Sequence, residues 1–501
     1  MSEQYQALVA RLKEIRNVDR ARAILSWDQQ VNMPRGGGAA RAAQMATLAR
    51  IAHEMLIDGE TAGLIASAER ETDSMPYEST EASMMRVARR DYHQATCVPT
   101  SLVGELASAT AMAHQVWTEA RAKDDFGMFI PALGRILDLK RQEADYRGYS
   151  EHPYDAFLDQ YEPGMTTRRV TGLFDSHRAE LVRLVADIKN SGVEISDAVV
   201  RQHFPVEVQR AFGEKMVRAY GYDFERGRQD EAVHPFCITF AQGDVRITTR
   251  FSSDFLNPAL FGTMHEAGHA MYEQGVDSSL EGTPLSKGTS LGVHESQSRL
   301  WENIVGRSRN FWTWAYPQLQ ETFPKQLAAV DVETFYRAIN RVAPSFVRVE
   351  ADEATYNLHI MVRFEIETAL VNGDIPLDRL PQVWNEKFEA YLGIVPPDNK
   401  LGVLQDIHWS SGLIGYFPTY AIGNLLAAQY YRQALLAHPS IPDEIAKGQF
   451  DTLRGWMRDN IYQHGRKFTA DELTQRITGE PIECGYFIDG LREKYGAIYG
   501  V

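Results

Sequence analysis

Thr263-Met264-His265-Glu266-Ala267-Gly268-His269-Ala270-Met271-Tyr272 is the stretch on which the reading turns. On a helix, residues four apart differ by about 40° in azimuth and about 6 Å in height, so His265 and His269 share a face and can grip one metal ion. Glu266 sits about 100° round from His265, near enough to reach water on that ion without ligating it. The pattern is H-E-x-x-H, two imidazoles and a general base within little more than one turn. Leu260, Phe261, Met264 and Met271 supply an apolar helical face, and Gly275 marks a stop after Glu273-Gln274.

A catalytic ion of this kind takes three protein ligands and leaves a fourth position to water. One completion puts Gly three residues after the second histidine and a third His three residues later, but positions 272 and 275 are Tyr and Gly. The other takes a carboxylate from a following helix, with Glu273, Glu281, Glu295 and Glu302 as candidates. Glu273 lies about 6 Å further along the same helix than His269 and cannot also face the ion. Glu281 falls in the Gly/Pro/Ser-rich loop from Ser278 to Gly292. Glu295 begins the next helical run, His294 to Ile304, and a helical acid is held more rigidly than a loop acid. Glu295 is the expected third ligand.

Hydrophobic residues make up 44% and charged residues 24% of the 501, the balance of an ordinary soluble globular protein with material for a large core. Basic and acidic residues give 52 − 67 = −15, which argues against a general nucleic-acid binder because phosphate is repelled. Cys97, Cys237 and Cys484 form no CxxC pair and suit a reducing compartment. The opening Met1-Ser2-Glu3-Gln4-Tyr5 has no basic or apolar signal region, and no apolar run of about 18 residues occurs. A cytoplasmic protein without a membrane span is expected.

The first half reads as helical. Tyr5, Leu8, Val9, Leu12 and Ile15 recur at helix spacing until Met33-Pro34-Arg35-Gly36-Gly37-Gly38 breaks the run. Helices are expected from Ala39 to about His53, then near 61–70, 79–96, 100–123, 128–149, 167–191 and 206–220. The character changes at His234, which gives an expected mostly N-terminal helical lobe at roughly 1–233 and a catalytic part at roughly 234–501, within one unit. Phe236 to Phe240 and Val245 to Thr249 read as two strands around an Ala241-Gln242-Gly243-Asp244 turn. This strand pair precedes the His265 helix and offers a lip on which an extended peptide would add as another strand, with Arg246 as an anion anchor.

Further helices are expected near 292–315, 332–343, 351–372 and 379–392. Arg348, enclosed by apolar residues in Ser345-Phe346-Val347-Arg348-Val349, calls for a partner, with Asp352 and Glu353 as candidates to pair it and a substrate role as the other reading. Gly402-Val403-Leu404-Gln405-Asp406-Ile407-His408-Trp409 and the following segment to Tyr420 set His, Asp, Trp and Tyr among glycines in a loop, where a rigid scaffold can aim them. His408 and Tyr416 are candidates to hydrogen-bond an oxyanion. The tail from Gln429 to Val501 is again helical, with a turn near Gly479-Glu480-Pro481.

Taken together, these segments resemble the thermostable carboxypeptidase Taq family of zinc metallocarboxypeptidases over essentially the whole chain. The resemblance rests on H-E-x-x-H at His265 to His269, D-x-R-x-T at Asp244 to Thr248 and H-E-S-Q at His294 to Gln297. It rests equally on V-R-x-x-A-D at Val347 to Asp352 and G-x-x-Q-D-x-H-W at Gly402 to Trp409. It implies a predominantly α-helical, two-lobed fold with a central groove, similar to neurolysin and angiotensin-converting enzyme, with a small sheet beside the metal. It also implies a cytoplasmic homodimer that uses zinc or cobalt and removes C-terminal residues from peptides with broad specificity. By the motif match, His265, His269 and Glu295 correspond to the metal ligands and Glu266 to the catalytic acid/base. Arg348, assisted by Arg246, corresponds to residues that hold the substrate carboxylate, and His408 and Tyr416 to residues near the reaction centre.

Exopeptidase action needs a fixed cation about one residue beyond the metal, so that a free α-carboxylate is favoured over a continuing chain; a bidentate arginine suits that task. The alternatives are a metallo-oligopeptidase cutting internal bonds of short peptides and a non-catalytic helical binding protein.

Overall fold

The computed structural model describes residues 3–501, so Met1 and Ser2 of the opening segment lie outside the described residues. Helices carry most of the chain, and the described strands are three short ones in a single sheet. No described helix is long and apolar enough to cross a membrane.

The helical periodicity read in the first half becomes packing directly. Glu3–Val31 is one helix that buries Tyr5, Leu8, Leu12 and Ile15 and lies against Gly38–Ile57 and Gly59–Thr72. The same apolar cluster takes in Ile65, Ala68, Met84 and Met85, then Val276, Leu280 and Leu285 just beyond the His265 helix. Each large side chain so buried contributes roughly 1.5–3 kcal/mol, so this cluster anchors the segment that follows the metal motif. Asp58 accepts from the Thr61 amide and starts one of these helices, satisfying an otherwise orphaned donor.

The chain forms two compact units, each assembled from three chain segments. One takes the chain up to Thr96, Ser196–Ile339 and Ala427–Pro481; the other takes Cys97–Ile195, Asn340–Leu426 and Ile482–Val501. The contacts therefore do not part at residue 233. Sequence order is a poor guide here because helices distant in the chain share faces: in the second unit Glu353–Asn372 packs on Thr167–Asn190, Leu380–Leu392 and Ile130–Arg147.

In the first unit the sheet runs β1 (Gln229–Glu231), β3 (Asp244–Thr249), β2 (Cys237–Ala241). The expected hairpin is present, with Ile238 opposite Arg246 and an irregularity between Thr239 and Ala241. β1 pairs parallel to β3 through Gln229 and Ile247. β3 is thus the middle strand and has neighbours on both sides, so a peptide strand would have to add to β1 or β2 instead. Val245, Ile247 and Thr249 are buried, and β3 packs against the His265 helix.

The His265 helix spans Asn257–Gln274, and the Glu295 helix spans Leu291–Arg299. They approach closely at Gly268, where an added Cβ would lie 2.5 Å from the Gln297 carbonyl oxygen. The glycine inside H-E-A-G-H is what lets the two helices press together. Ser290 caps the second helix at the Val293 amide, and the helix then widens into a π-helix over Leu300–Val305. Widened turns of this kind are frequent at functional sites, and this one carries Glu302.

Candidate metal centre and arginine cluster

His265 and His269 turn their Nε2 atoms toward one carboxylate oxygen, Glu295 Oε2, at 3.6 and 3.5 Å. Two ligands of a tetrahedral ion with bonds of 2.0–2.1 Å are about 3.3 Å apart, so the spacing suits a shared ion. Among the described residues these three are the one group of His, Cys, Asp or Glu side chains so arranged, with all ligand atoms within 4.8 Å of one another.

The surrounding groups orient the donors. With Nε2 of His265 turned inward, Nδ1 carries the hydrogen and donates to Glu302 Oε2 at 2.8 Å. His269 is held through an intermediary: its Nδ1 lies 2.6 Å from His294 Nδ1, and His294 Nε2 lies 2.9 Å from Glu273 Oε1. Glu295 Oε1 accepts from Arg299 Nε at 2.7 Å, and its Oε2 accepts from Ser298 Oγ at 3.1 Å. Every carboxylate considered for the third ligand thus has a distinct place. Glu295 faces both imidazoles, Glu302 backs one and Glu273 backs the other through His294. Glu281 is bound to Arg20 and to the Gln242 amide.

The electrostatics match a cavity made for a cation. Burial lowers the His265 pKa, but Glu295, Glu302 and Glu266 outweigh it and push the imidazole up to about 9. A proton is drawn to the place a metal cation would neutralise. Burial pushes Glu266 up to about 7, with Glu295 and Glu302 adding to the rise. Burial would also raise Glu295, but Arg299 and the two histidines bring it far below the usual carboxylate range. The donor set, its spacing and its negative surplus all fit a divalent ion. Cys237 of β2 is near enough to feel Glu266 and Glu273, though burial is the main cause of its raised thiol pKa.

Arg246, on β3, is already engaged. Its Nε and Nη2 bond both oxygens of Asp244 at 2.7 and 2.8 Å, and it stacks on Trp27 and Phe240 at 4.3 and 4.9 Å. Trp27 itself is buried, as a helix end packed under the core would be.

In the second unit Arg348 occupies a 3₁₀ turn, Arg348–Glu350, and is 6% exposed. Its partner is neither Asp352 nor Glu353. Asp352 is spent capping the next helix at Ala354 and Thr355, and Glu353 binds Lys494. Arg348 instead meets Asp406, Nε at 3.3 Å and Nη2 at 3.2 Å, and donates from Nη1 to Tyr356 Oη at 3.0 Å. Asp406 is bound more tightly by Arg363, at 2.7 Å from Nε. His408 lies with Nδ1 3.8 Å from Asp406, its ring on Phe417 and Tyr416 at 4.4 and 5.6 Å. Burial brings its pKa down to about 4, with Arg348 and Arg363 assisting against Asp406, so His408 is neutral near pH 7. Tyr416 packs on Tyr161 and Tyr420.

The structure therefore gathers His265, His269 and Glu295 around one point, with Glu266 near enough to feel His265 and Glu295, and sets Arg348, His408 and Tyr416 around the loop bearing Asp406. Reading the sequence missed the supporting roles of Glu302, His294 and Glu273, and the Arg363–Asp406 pairing. The H-E-S-Q and Q-D-x-H-W segments marked where to look, but partners so distant in the chain leave no periodic signal.

A profile of the carboxypeptidase Taq (M32) metallopeptidases matches residues 7–495. The chain is 42% identical over 506 residues to thermostable carboxypeptidase 1 of Thermus thermophilus, covering 99% of each. It is 37% identical to carboxypeptidase 1 of Bacillus subtilis, covering 97% of each. The crystal structure of an M32 carboxypeptidase from Deinococcus radiodurans superposes with a TM-score of 0.97 at 42% identity, over 100% of both chains. Matches of this length favour neither the oligopeptidase nor the binding-protein alternative. The chain belongs to the carboxypeptidase Taq (M32) family of metallopeptidases and is a metal-dependent carboxypeptidase acting on peptides.

Proposed function

We propose that His265, His269 and Glu295 hold one zinc ion, with cobalt as a working substitute, and that Glu266 moves the proton in C-terminal peptide-bond hydrolysis. The observation that carries this reading is the pair of imidazole nitrogens 3.5 and 3.6 Å from one carboxylate oxygen. Nitrogen and oxygen donors in a set of three suit zinc. When bound, the ion supplies Lewis acidity, making water more acidic and polarising the scissile carbonyl.

Glu266 accepts a proton from the attacking water on its carboxylate and returns it to the amine as the C–N bond breaks. Its pKa, pushed up to about 7, suits a group that both takes and gives a proton near neutrality. His408 and Tyr416 donate toward the carbonyl oxygen as it gains charge. Arg348 takes the substrate's terminal carboxylate and Arg246 plays a secondary part, because Asp244 already fills its fork. Specificity is broad, since a terminal carboxylate is common to all C-termini.

Comparing a peptide with its C-terminally amidated twin tests the reading. The free acid is expected to be cleaved about 100-fold faster or more, since the amide leaves a buried arginine without its anion. Equal rates would overturn it.

The family resemblance extends to a cytoplasmic homodimer. Cys97, Cys237 and Cys484 form no disulfide with one another, in keeping with a reducing compartment. Sedimentation at two concentrations tests the dimer.

A further inference from the structure

Arg348, Arg363 and Asp406 form a buried charge triad in the second unit. Arg363 is 0% exposed and holds Asp406 Oδ2 by Nε at 2.7 Å and Nη2 at 2.6 Å. It also donates to the His359 carbonyl at 2.8 Å and to Gln405 Oε1 at 2.8 Å. Arg348 has only the longer contacts to the other oxygen, Oδ1, at 3.2 and 3.3 Å. Three of its five N–H groups are used, counting the one to Tyr356, so one hydrogen on each terminal nitrogen has no acceptor among the described residues. Its main chain is fixed as well, because the Arg348 amide donates to the same Gln405 oxygen that Arg363 binds.

Two guanidiniums and one carboxylate leave a surplus of one positive charge, in a place where water screens little. The neighbouring groups do not cancel it. His408 is neutral, Tyr356 offers Arg348 only a phenol oxygen as acceptor, and Glu367 bonds neither arginine. Glu367 accepts instead from Tyr154, Trp409 and the Gly415 amide, and burial pushes its carboxyl up to about 7. Without Arg363, Asp406 would neutralise Arg348 outright. A buried guanidinium fully matched by its own carboxylate has no charge left to offer a ligand.

We propose that Arg363 is a specificity-determining positioning residue: by claiming Asp406 it keeps the cluster one charge positive and leaves Arg348 open to the terminal carboxylate of the peptide. This rests on the reading of Arg348 given above. Arg363 does not touch substrate; it acts through Asp406.

The test measures KM and kcat for a free-acid peptide in the metal-loaded enzyme, with thermal unfolding as a check on the fold. Arg363→Gln removes the surplus charge and is expected to raise KM roughly 10-fold or more with kcat changed less than about 3-fold. Adding Asp406→Asn restores the surplus and is expected to recover most of the lost KM. A purely structural Arg363 would make the double variant as poor as the single or poorer, and that result overturns the proposal. Should Arg363→Gln not fold, Arg363→Lys decides: it keeps the charge and should hold KM within about 3-fold, whereas a rise beyond about 10-fold at unchanged melting temperature overturns the proposal. Arg348→Gln separates the two readings. If it leaves KM unchanged, the carboxylate role of Arg348 has failed and this proposal fails with it. If it raises KM while Arg363→Gln does not, only the role of Arg363 has failed.

Discussion

Around His265 the carboxylates of Glu266, Glu273, Glu295 and Glu302 outnumber the two guanidiniums paired with them, Arg299 and Arg307. Around Arg348 two guanidiniums share the single carboxylate of Asp406. Both clusters are buried and both are incomplete. A buried charge without its partner is costly, so the sign of the surplus identifies the partner each cluster is built to receive: a cation in the first, an anion in the second. Glu367 is a third case, a carboxylate with neutral donors and no bonded cation. There burial raises the pKa to about 7, whereas Asp406, clasped by arginines, stays ionised.

The sharpest way to break this comparison is Glu266→Gln, which removes a negative charge that does not ligate. Metal content should be unchanged while kcat falls on the order of 10³-fold or more, within reach of what a lost general base costs. Turnover at the wild-type rate, with full metal loading, would end the assignment. Next in size are Glu302→Gln and Glu273→Gln, which remove the negative charges behind His265 and His294. Metal affinity, measured by competition with a chelator, should weaken about 10–100-fold in each. An unchanged affinity for Glu273→Gln would mean that the chain through His294 does not orient His269.

The smallest effect sharpens the third case. Because the Glu367 pKa rises from 4.5 to about 7 on folding, the native protein keeps a proton that the unfolded chain has released. Stability should therefore fall as pH rises across that window, by about 1–3 kcal/mol. Glu367→Gln cannot titrate. Urea unfolding at both ends of the window should show a shallower decline in the variant, and equal slopes would mean that Glu367 is ionised throughout.

Much of this was legible in the chain itself. Long helices such as Glu3–Val31 and Thr100–Lys123 announce themselves by apolar spacing, and the β2–β3 hairpin by alternation around Gln242-Gly243. The three-residue β1 and the seven-residue helix Asp155–Tyr161 did not, being too short to show a period. The expected helix over 292–315 divides at Gly306–Ser308 after its π-helical stretch, where close approach to Met264 leaves no room for a side chain at Gly306.

The sequence by itself determined whatever depends on near neighbours: helices from their periodicity, and His265 with His269 on one face because four residues make little more than one turn. Only the tertiary structure decided which carboxylate meets them, which ones stand behind, and that Arg348 pairs with Asp406, 58 residues on, rather than with the acids beside it. The physical reason is that a charge takes whichever partner packing brings within reach, and packing joins faces of helices that the linear order keeps apart.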